Sequence, residues 1–152
     1  MLPSDVDAST EMVLGHGWGI RRDWLAFATS SVCCRPVVAV ADSEVVGTAV
    51  GTANGVVGWL GSVFVAPERR GHGLGRALTQ AVLDALEAAG CRTSLLVATS
   101  EGQRLYERMG FDIQARYLIL EAPGLSDPAA DTAAPGGPVS RHNCYRPGLR
   151  PR

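Results

Sequence analysis

The segment Arg69-Arg70-Gly71-His72-Gly73-Leu74-Gly75 has the residue types and spacing of a chemical site. An apolar run, Val56 to Val65, precedes it and stops at Pro67. A helical stripe of Leu74, Leu78, Val82, Ala85 and Ala89 follows, closed by Gly90. The pattern therefore predicts a strand, a glycine-rich turn and a helix. The first N–H groups of a helix have no internal partner, and the helix dipole is positive at that end. Where side chains are absent, an anion can approach those N–H groups closely. An anion site is expected over His72 to Ala77, most naturally for a pyrophosphate. A Walker-type loop requires a lysine, and all fourteen basic residues of this chain are arginines. A G-x-G-x-x-G fingerprint fails because Arg76 stands at the third glycine, and because a hairpin precedes the loop. The pattern left is R-x-x-G-x-G/A, met by Arg70, Gly73 and Gly75.

A second cluster, Leu105-Tyr106-Glu107-Arg108-Met109-Gly110-Phe111, stands one predicted helix and one predicted strand further on. With both clusters in view, the chain resembles the GNAT superfamily of N-acetyltransferases. Val63 to Leu78 is similar to that family's cofactor motif along its whole length, and Leu105 to Phe111 is similar to its second motif. The likeness covers Asp5 to Glu121 and is especially to the N-terminal module of GNAT proteins with two such domains in tandem.

The resemblance implies an α/β mixed sheet, mostly antiparallel and flanked by helices. Two parallel strands would splay apart, the fourth and fifth when the family's opening strand is counted. In this chain they are the strand ending at Val65 and the strand Thr93 to Ala98. The resemblance further implies acetyl-CoA as acyl donor, without a metal. Pantetheine would pair with Val63, Phe64 and Val65. The pyrophosphate would meet Arg70, Gly71, His72, Gly73, Leu74, Gly75, Arg76 and Ala77. Thr99 stands where the family often has an asparagine that contacts the cofactor. A neutral amine would attack the thioester directly, and an N–H near Phe64 or Val65 would steady the oxyanion, an interaction typically worth about 3 kcal/mol. The leaving thiolate has a pKa of about 8.5, with cysteine as the guide. Tyr106 matches the family's general acid, although a tyrosine there could also be a core aromatic.

Single residues around these motifs carry alternatives. His72 sits where the family uses a backbone N–H, not an imidazole. Arg69 and Arg76 fit either phosphate contacts or a solvated surface. By analogy the loop from Gly15 to Trp24 is the acceptor wall. There Trp18, Trp24, Asp23 and Glu11 could hold a cationic or aromatic amine, or the two tryptophans could pack the core. Glu11, His16 and Asp23 are candidate bases acting through a water, and the amine could also lose its proton unaided.

The elements that must position these residues follow from periodicity. Ser4 and Asp7 suggest a capping box for a helix from Asp5 to Leu14. A second helix, Arg22 to Ser31, would place Trp24, Phe27 and Ala28 on one face. Strands are expected at Pro36 to Val40 and Val45 to Ala53, joined by Asp42-Ser43. Asn54-Gly55 is a strong hairpin signal when both central residues take positive φ. Thr93 to Ala98 reads as a strand buried on both faces. Glu101 to Met109 reads as a short helix and Ile113 to Glu121 as a last strand.

The 152 residues fit one domain with its own core, and the net charge of -1 gives no field that would draw nucleic acid or membrane. No apolar run has the length of a membrane span and no secretion signal opens the chain, so a cytoplasmic protein with reduced thiols is expected. The four cysteines show no zinc spacing.

The last 31 residues hold six of the nine prolines, so residues 1–121 read as the domain and 122–152 as a loose, dispensable tail. Either the opening strand of the family is missing or the chain starts late, and no hairpin partner for Ile113 to Glu121 is evident. That region forms the acceptor site or a homodimer in many relatives. A second reading follows from these thin ends: a module that holds acyl-CoA without turning it over, or a truncated partner of another chain.

Overall fold

A computed structural model describes residues 1–19 and 21–117, and the backbone of 141–147. A 3-10 turn, Pro3–Asp5, leads into helix α1 (Val6–Leu14), and α2 spans Arg22–Ser30. Strands β1 (Cys34–Ala41), β2 (Glu44–Asn54) and β3 (Val57–Val65) follow as antiparallel neighbours. Helix α3 (Leu74–Ala88) crosses to β4 (Thr93–Thr99), which pairs parallel to β3. Helix α4 (Ser100–Arg108), β5 (Asp112–Tyr117) and β6 (Arg141–Pro147) complete a six-stranded sheet of order β1-β2-β3-β4-β6-β5. The expected mixed sheet flanked by helices is present.

β6 corrects the expectation that β5 lacks a partner. It lies antiparallel between β4 and β5, with Leu96 opposite Cys144 and Ile113 also opposite Cys144. The separable tail therefore fails for Arg141–Pro147, whose backbone is an interior strand of the sheet. The proline-poor stretch from Arg141 to Arg146 can donate N–H groups to a ladder, and Pro147 closes it. The rest of the expected tail, and residues 118–121 of the expected last strand, lie outside the described residues. Among the described residues no strand precedes α1; the amino group of Met1 donates to Pro36 O on β1, at 3.1 Å.

The two faces of the sheet carry separate cores. On one face α3 presses Leu78, Val82 and Leu86 onto Gly47, Gly51 and Gly58. A Cβ at Gly51 would lie 2.6 Å from Val82 Cγ1, so the helix can sit this close only over glycine. The buried stripe of α3 is Leu78, Thr79, Val82, Leu83 and Leu86; Ala89, expected in it, is exposed. The opposite face packs Val6 of α1 and Leu25 and Ala28 of α2 against Cys34 and Val50. This corrects the expected face of α2. Trp24 and Phe27 are exposed and stack on each other, with ring centroids 5.9 Å apart. The indole N–H of Trp24 donates to Ser62 Oγ at 3.0 Å, so the ring lies at the rim where its polar edge finds a partner.

Three local expectations also change. Asp5, and not Ser4, closes the first turn: its carboxylate accepts from the Leu2 N–H. The two-residue turn with both φ positive is Asp42-Ser43, at 53° and 66°. After β2 the central pair is Gly55-Val56, where Gly55 alone has positive φ, because Asn54 pairs with Val57 in the ladder. That matches a hairpin with glycine in the first central place. β4 is buried on one face only, at Leu96 and Ala98, while Leu95 and Val97 are half-buried.

Candidate active site

β3 and β4 pair over Val57–Leu60 and Thr93–Leu96 and then part. Beyond that point β3 keeps only β2 beside it among the described residues, and β4 continues against β6 up to Thr99. A V-shaped opening results, with Val63 to Val65 on one wall and Val97 to Thr99 on the other.

A bulge shapes the β3 wall. Thr48 faces Phe64 and Val50 faces Gly61, so β3 carries one more residue than β2 across this stretch. The extra residue is held by Ser62 at a φ of 51°, a conformation that costs a non-glycine residue energy. Two contacts offset the strain: Thr48 Oγ1 donates to Ser62 O at 3.1 Å, and Trp24 Nε1 holds the Ser62 hydroxyl. The bulge shifts the alternation of side chains by one. Gly58 and Leu60 face α3 before it; Val63 and Val65 face α3 after it. Phe64 consequently turns to the α1–α2 side. The backbone alternates too. The Ala66 N–H donates to Val46 O on β2, so the peptide groups of Val65 and Val63 point toward the opening.

At the end of β3 the chain enters the glycine loop. Gly71 and Gly73 take φ of 80° and 82°, and a Cβ built on either would meet no atom within 4 Å. Gly73 is the residue before the first turn of α3, where no side chain caps the helix. The N–H groups there face open space, the condition for a phosphate to approach. The Nδ1–H of His72 donates to Arg70 O at 2.8 Å and ties the imidazole to its own loop. Leu74 and Gly75 are half-buried, while Arg76 and Ala77 are exposed on the first turn. Arg69 is drawn to Asp42 at 3.0 Å and braces the loop against the β1–β2 turn. Arg70 reaches back: Nε donates to Val65 O at 3.1 Å, Nη1 lies 3.5 Å from Glu101 on α4, and the guanidinium sits over the Phe64 ring.

On the far wall, Thr99 Oγ1 accepts from the Gly102 N–H at 3.1 Å and caps α4. This uses an acceptor lone pair of Thr99 and not its proton. Tyr106 is buried, and its ring meets Phe111 edge-on with centroids 5.9 Å apart. It packs in the same core as Leu96 and Ala98, next to the strand that forms the opening.

The α1–α2 side gathers residues that the sequence left scattered. Trp18 and His16 lie 5.1 Å and 5.7 Å from Phe64, ring centre to ring centre, and Arg21 sits over Trp18. Gly17 and Gly19 have positive φ and let the loop fold back, with the Trp18 N–H donating to Val13 O. Beside this cluster a cleft of about 610 Å³ is lined by Asp5, Glu11, Met12, His16, Glu44 and Glu68, among others. Asp23 does not line it. Sequence reasoning missed Ser62, Glu101 and Gly102. Nothing in the local pattern marks Ser62 as a bulge, whereas a glycine inside a short helix such as α4 could have flagged a close contact. Among the described residues no helix is long and apolar enough to cross a membrane.

The comparisons with known proteins fit this geometry. The family model for the GNAT acetyltransferase family matches residues 6–111. No curated protein sequence matches the chain significantly. Among solved structures, the ribosomal-protein-S18-alanine N-acetyltransferase from Escherichia coli is similar, with a TM-score of 0.78 and 18% identity, over 100% of this chain and 93% of that one. An aminoglycoside 6'-N-acetyltransferase complexed with coenzyme A is similar at a TM-score of 0.73 and 15% identity, covering 99% and 94%. Nourseothricin acetyltransferase is similar at a TM-score of 0.62 and 25% identity, covering 78% and 67%. With the family model spanning most of its length, and a splayed sheet ending at an open helix N-terminus, the chain belongs to the GNAT acetyltransferase family and is an acetyl-CoA-dependent acyltransferase.

Proposed function

We propose that this enzyme transfers an acetyl group from acetyl-CoA directly to the primary amine of a small molecule or peptide. The parting of β3 and β4 beside the open N-terminus of α3 carries the reading. The residues present suit the donor: Gly71 and Gly73 leave a cradle that a Cβ would enter, and Val63 and Val65 turn peptide groups into the opening. In this reading Val63, Phe64 and Val65 line the pantetheine arm. Arg70 to Ala77 bind the pyrophosphate through backbone N–H groups, and Thr99 lies beside the donor. Acetyl-CoA supplies an activated acyl group on a thiol that leaves readily. The Val65 N–H stabilises charge on the carbonyl oxygen, and Tyr106 delivers a proton to the departing sulfur. The whole unit, residues 1–117 with β6, works in the cytoplasm.

The strand β6 weakens the reading of a module that only holds acyl-CoA, since that reading rested on an incomplete sheet. The test has two stages. Calorimetry measures acetyl-CoA binding, with a dissociation constant expected in the micromolar range. A free-thiol assay then follows CoA release with a peptide bearing an N-terminal alanine, an aminoglycoside, nourseothricin and spermidine. Binding without turnover of any amine would return the protein to the holding role.

A further inference from the structure

We infer that His16 is the general base that deprotonates the acceptor ammonium. The inference rests on the acetyl-transfer reading above and names a residue for the step which that reading leaves open. Three groups were candidates by sequence, and the structure separates them. Asp23 lies in the first turn of α2, exposed, and does not line the cleft. Glu11 is exposed on α1 and lines the cleft. His16 alone joins the cleft to the aromatic cluster on β3, with its ring 5.7 Å from Phe64.

Two hydrogen-bonding facts prepare His16 for the task. Its Nδ1 lies 2.7 Å from Met12 O. A carbonyl can only accept, so Nδ1 carries the proton and the Nε2 lone pair is left to take another. Nε2 lies 3.6 Å from the Glu68 carboxylate, which would stabilise the imidazolium once it forms. Glu68 follows Pro67 directly after β3, so the strand that forms the opening sets the countercharge. His16 itself is fixed by the helix end: it follows the last residues of α1, and its own N–H donates to Val13 O.

The side of approach agrees. The bulge at Ser62 turns Phe64 toward α1 and α2, while α3 fills the opposite face. An amine reaching the β3 wall from the open side therefore passes His16. The other charged groups around the imidazole are Glu11, Asp5, Glu44 and Glu68 along the cleft. Arg70 lies over the Phe64 ring, and Arg21 lies over Trp18.

His16 Nε2 takes one proton from R–NH3⁺ and gives R–NH2. The nitrogen lone pair forms the C–N bond, the C–S bond breaks, and its electron pair leaves on sulfur. That sulfur ends as a thiol with the proton handed over by Tyr106, which regains one as the amide nitrogen loses its second hydrogen. The proton on His16 passes to solvent.

The experiment compares wild type, His16→Gln and Glu68→Gln. Each is first checked for acetyl-CoA affinity by calorimetry and for its melting midpoint. His16 is exposed, so both should be unchanged. The kcat/KM for the best amine of the panel is then followed from about pH 6 to about pH 9. We expect His16→Gln to lower kcat/KM by about 10²-fold or more near neutral pH. The deficit should shrink as pH rises and the amine deprotonates itself. Glu68→Gln should lower kcat/KM several-fold with acetyl-CoA affinity unchanged, because the imidazolium loses its countercharge. A second readout needs no turnover. In the dead-end complex of protein, CoA and that amine, the His16 ring-proton resonance, assigned by its absence in His16→Gln, should shift on amine addition. A full pH profile retained by His16→Gln, or an unmoved resonance, would overturn the inference while leaving acetyl transfer intact. Absence of turnover by wild type on every amine would sink the acetyl-transfer reading, and the role of His16 with it.

Discussion

At Tyr106 the removal of one oxygen should separate chemistry from binding. Tyr106→Phe keeps the ring that packs edge-on against Phe111, so the melting midpoint should hold. It removes the proton meant for the leaving thiolate, and kcat is expected to fall by about 10² to 10⁴-fold with the acetyl-CoA dissociation constant unchanged. Equal kcat for both proteins, measured where chemistry limits the rate, would make Tyr106 a packing residue. Gly73 probes the anion cradle. At a φ of 82° a valine there is strained by about 1–3 kcal/mol and sets a branched side chain before the first N–H groups of α3. Gly73→Val should weaken acetyl-CoA binding at least about tenfold by calorimetry, and equal affinity would remove the phosphate from this loop. At this scale the sequence was informative where chemistry demands a fixed spacing. In the proposed reading Gly73, Gly75 and Tyr106 are readable because a phosphate and a sulfur must be met at set positions. Ser62 was not, and neither was the meeting of His16 with Phe64, because no local pattern announces the bulge that turns Phe64 to that side.

Helix α4 contains a glycine that secondary structure alone would not choose. Gly102 costs a helix interior about 1 kcal/mol relative to alanine. A Cβ there would lie 3.0 Å from Tyr106 Cε2. Gly102→Ala should therefore displace the tyrosine ring while the helix gains propensity, giving a melting midpoint close to wild type and a several-fold drop in kcat. A variant with undiminished kcat would show that the ring position is not critical. Element boundaries were legible to within a few residues, because periodicity and glycine or proline stops set them. Faces were less so. In α2 the large aromatics suggested the buried side, yet Leu25 and Ala28 occupy it. The indole N–H of Trp24 needs a polar partner and finds it at the rim, in Ser62. In α3 the buried stripe is set by which strand positions are glycine, a match between two distant segments that neither one displays alone.

For the molecule as a whole, β6 decides where the folded unit ends. A chain stopped at Gly124 loses the strand between β4 and β5, and its melting midpoint should fall by about 5 °C or more. An unchanged midpoint would show that β6 adds nothing to the fold. The sequence concealed this strand because prolines surround it and its residues show no apolar alternation, while a position inside a sheet depends on what the neighbouring strands leave unpaired. The strand order also constrains how the chain can assemble. β1 to β4 can pair as soon as each is made, since every one of them has a sequence neighbour beside it. β5 cannot, for among the described residues its sole sheet neighbour is β6. The two must join as a ribbon that docks through β6 onto the free margin of β4, and only this late, long-range closure buries the wall on which Thr99 sits. Folding of the catalytic half thus waits on the slowest kind of contact the chain makes. Until that moment the exposed margin of β4 is the place where one nascent molecule could wrongly recruit another.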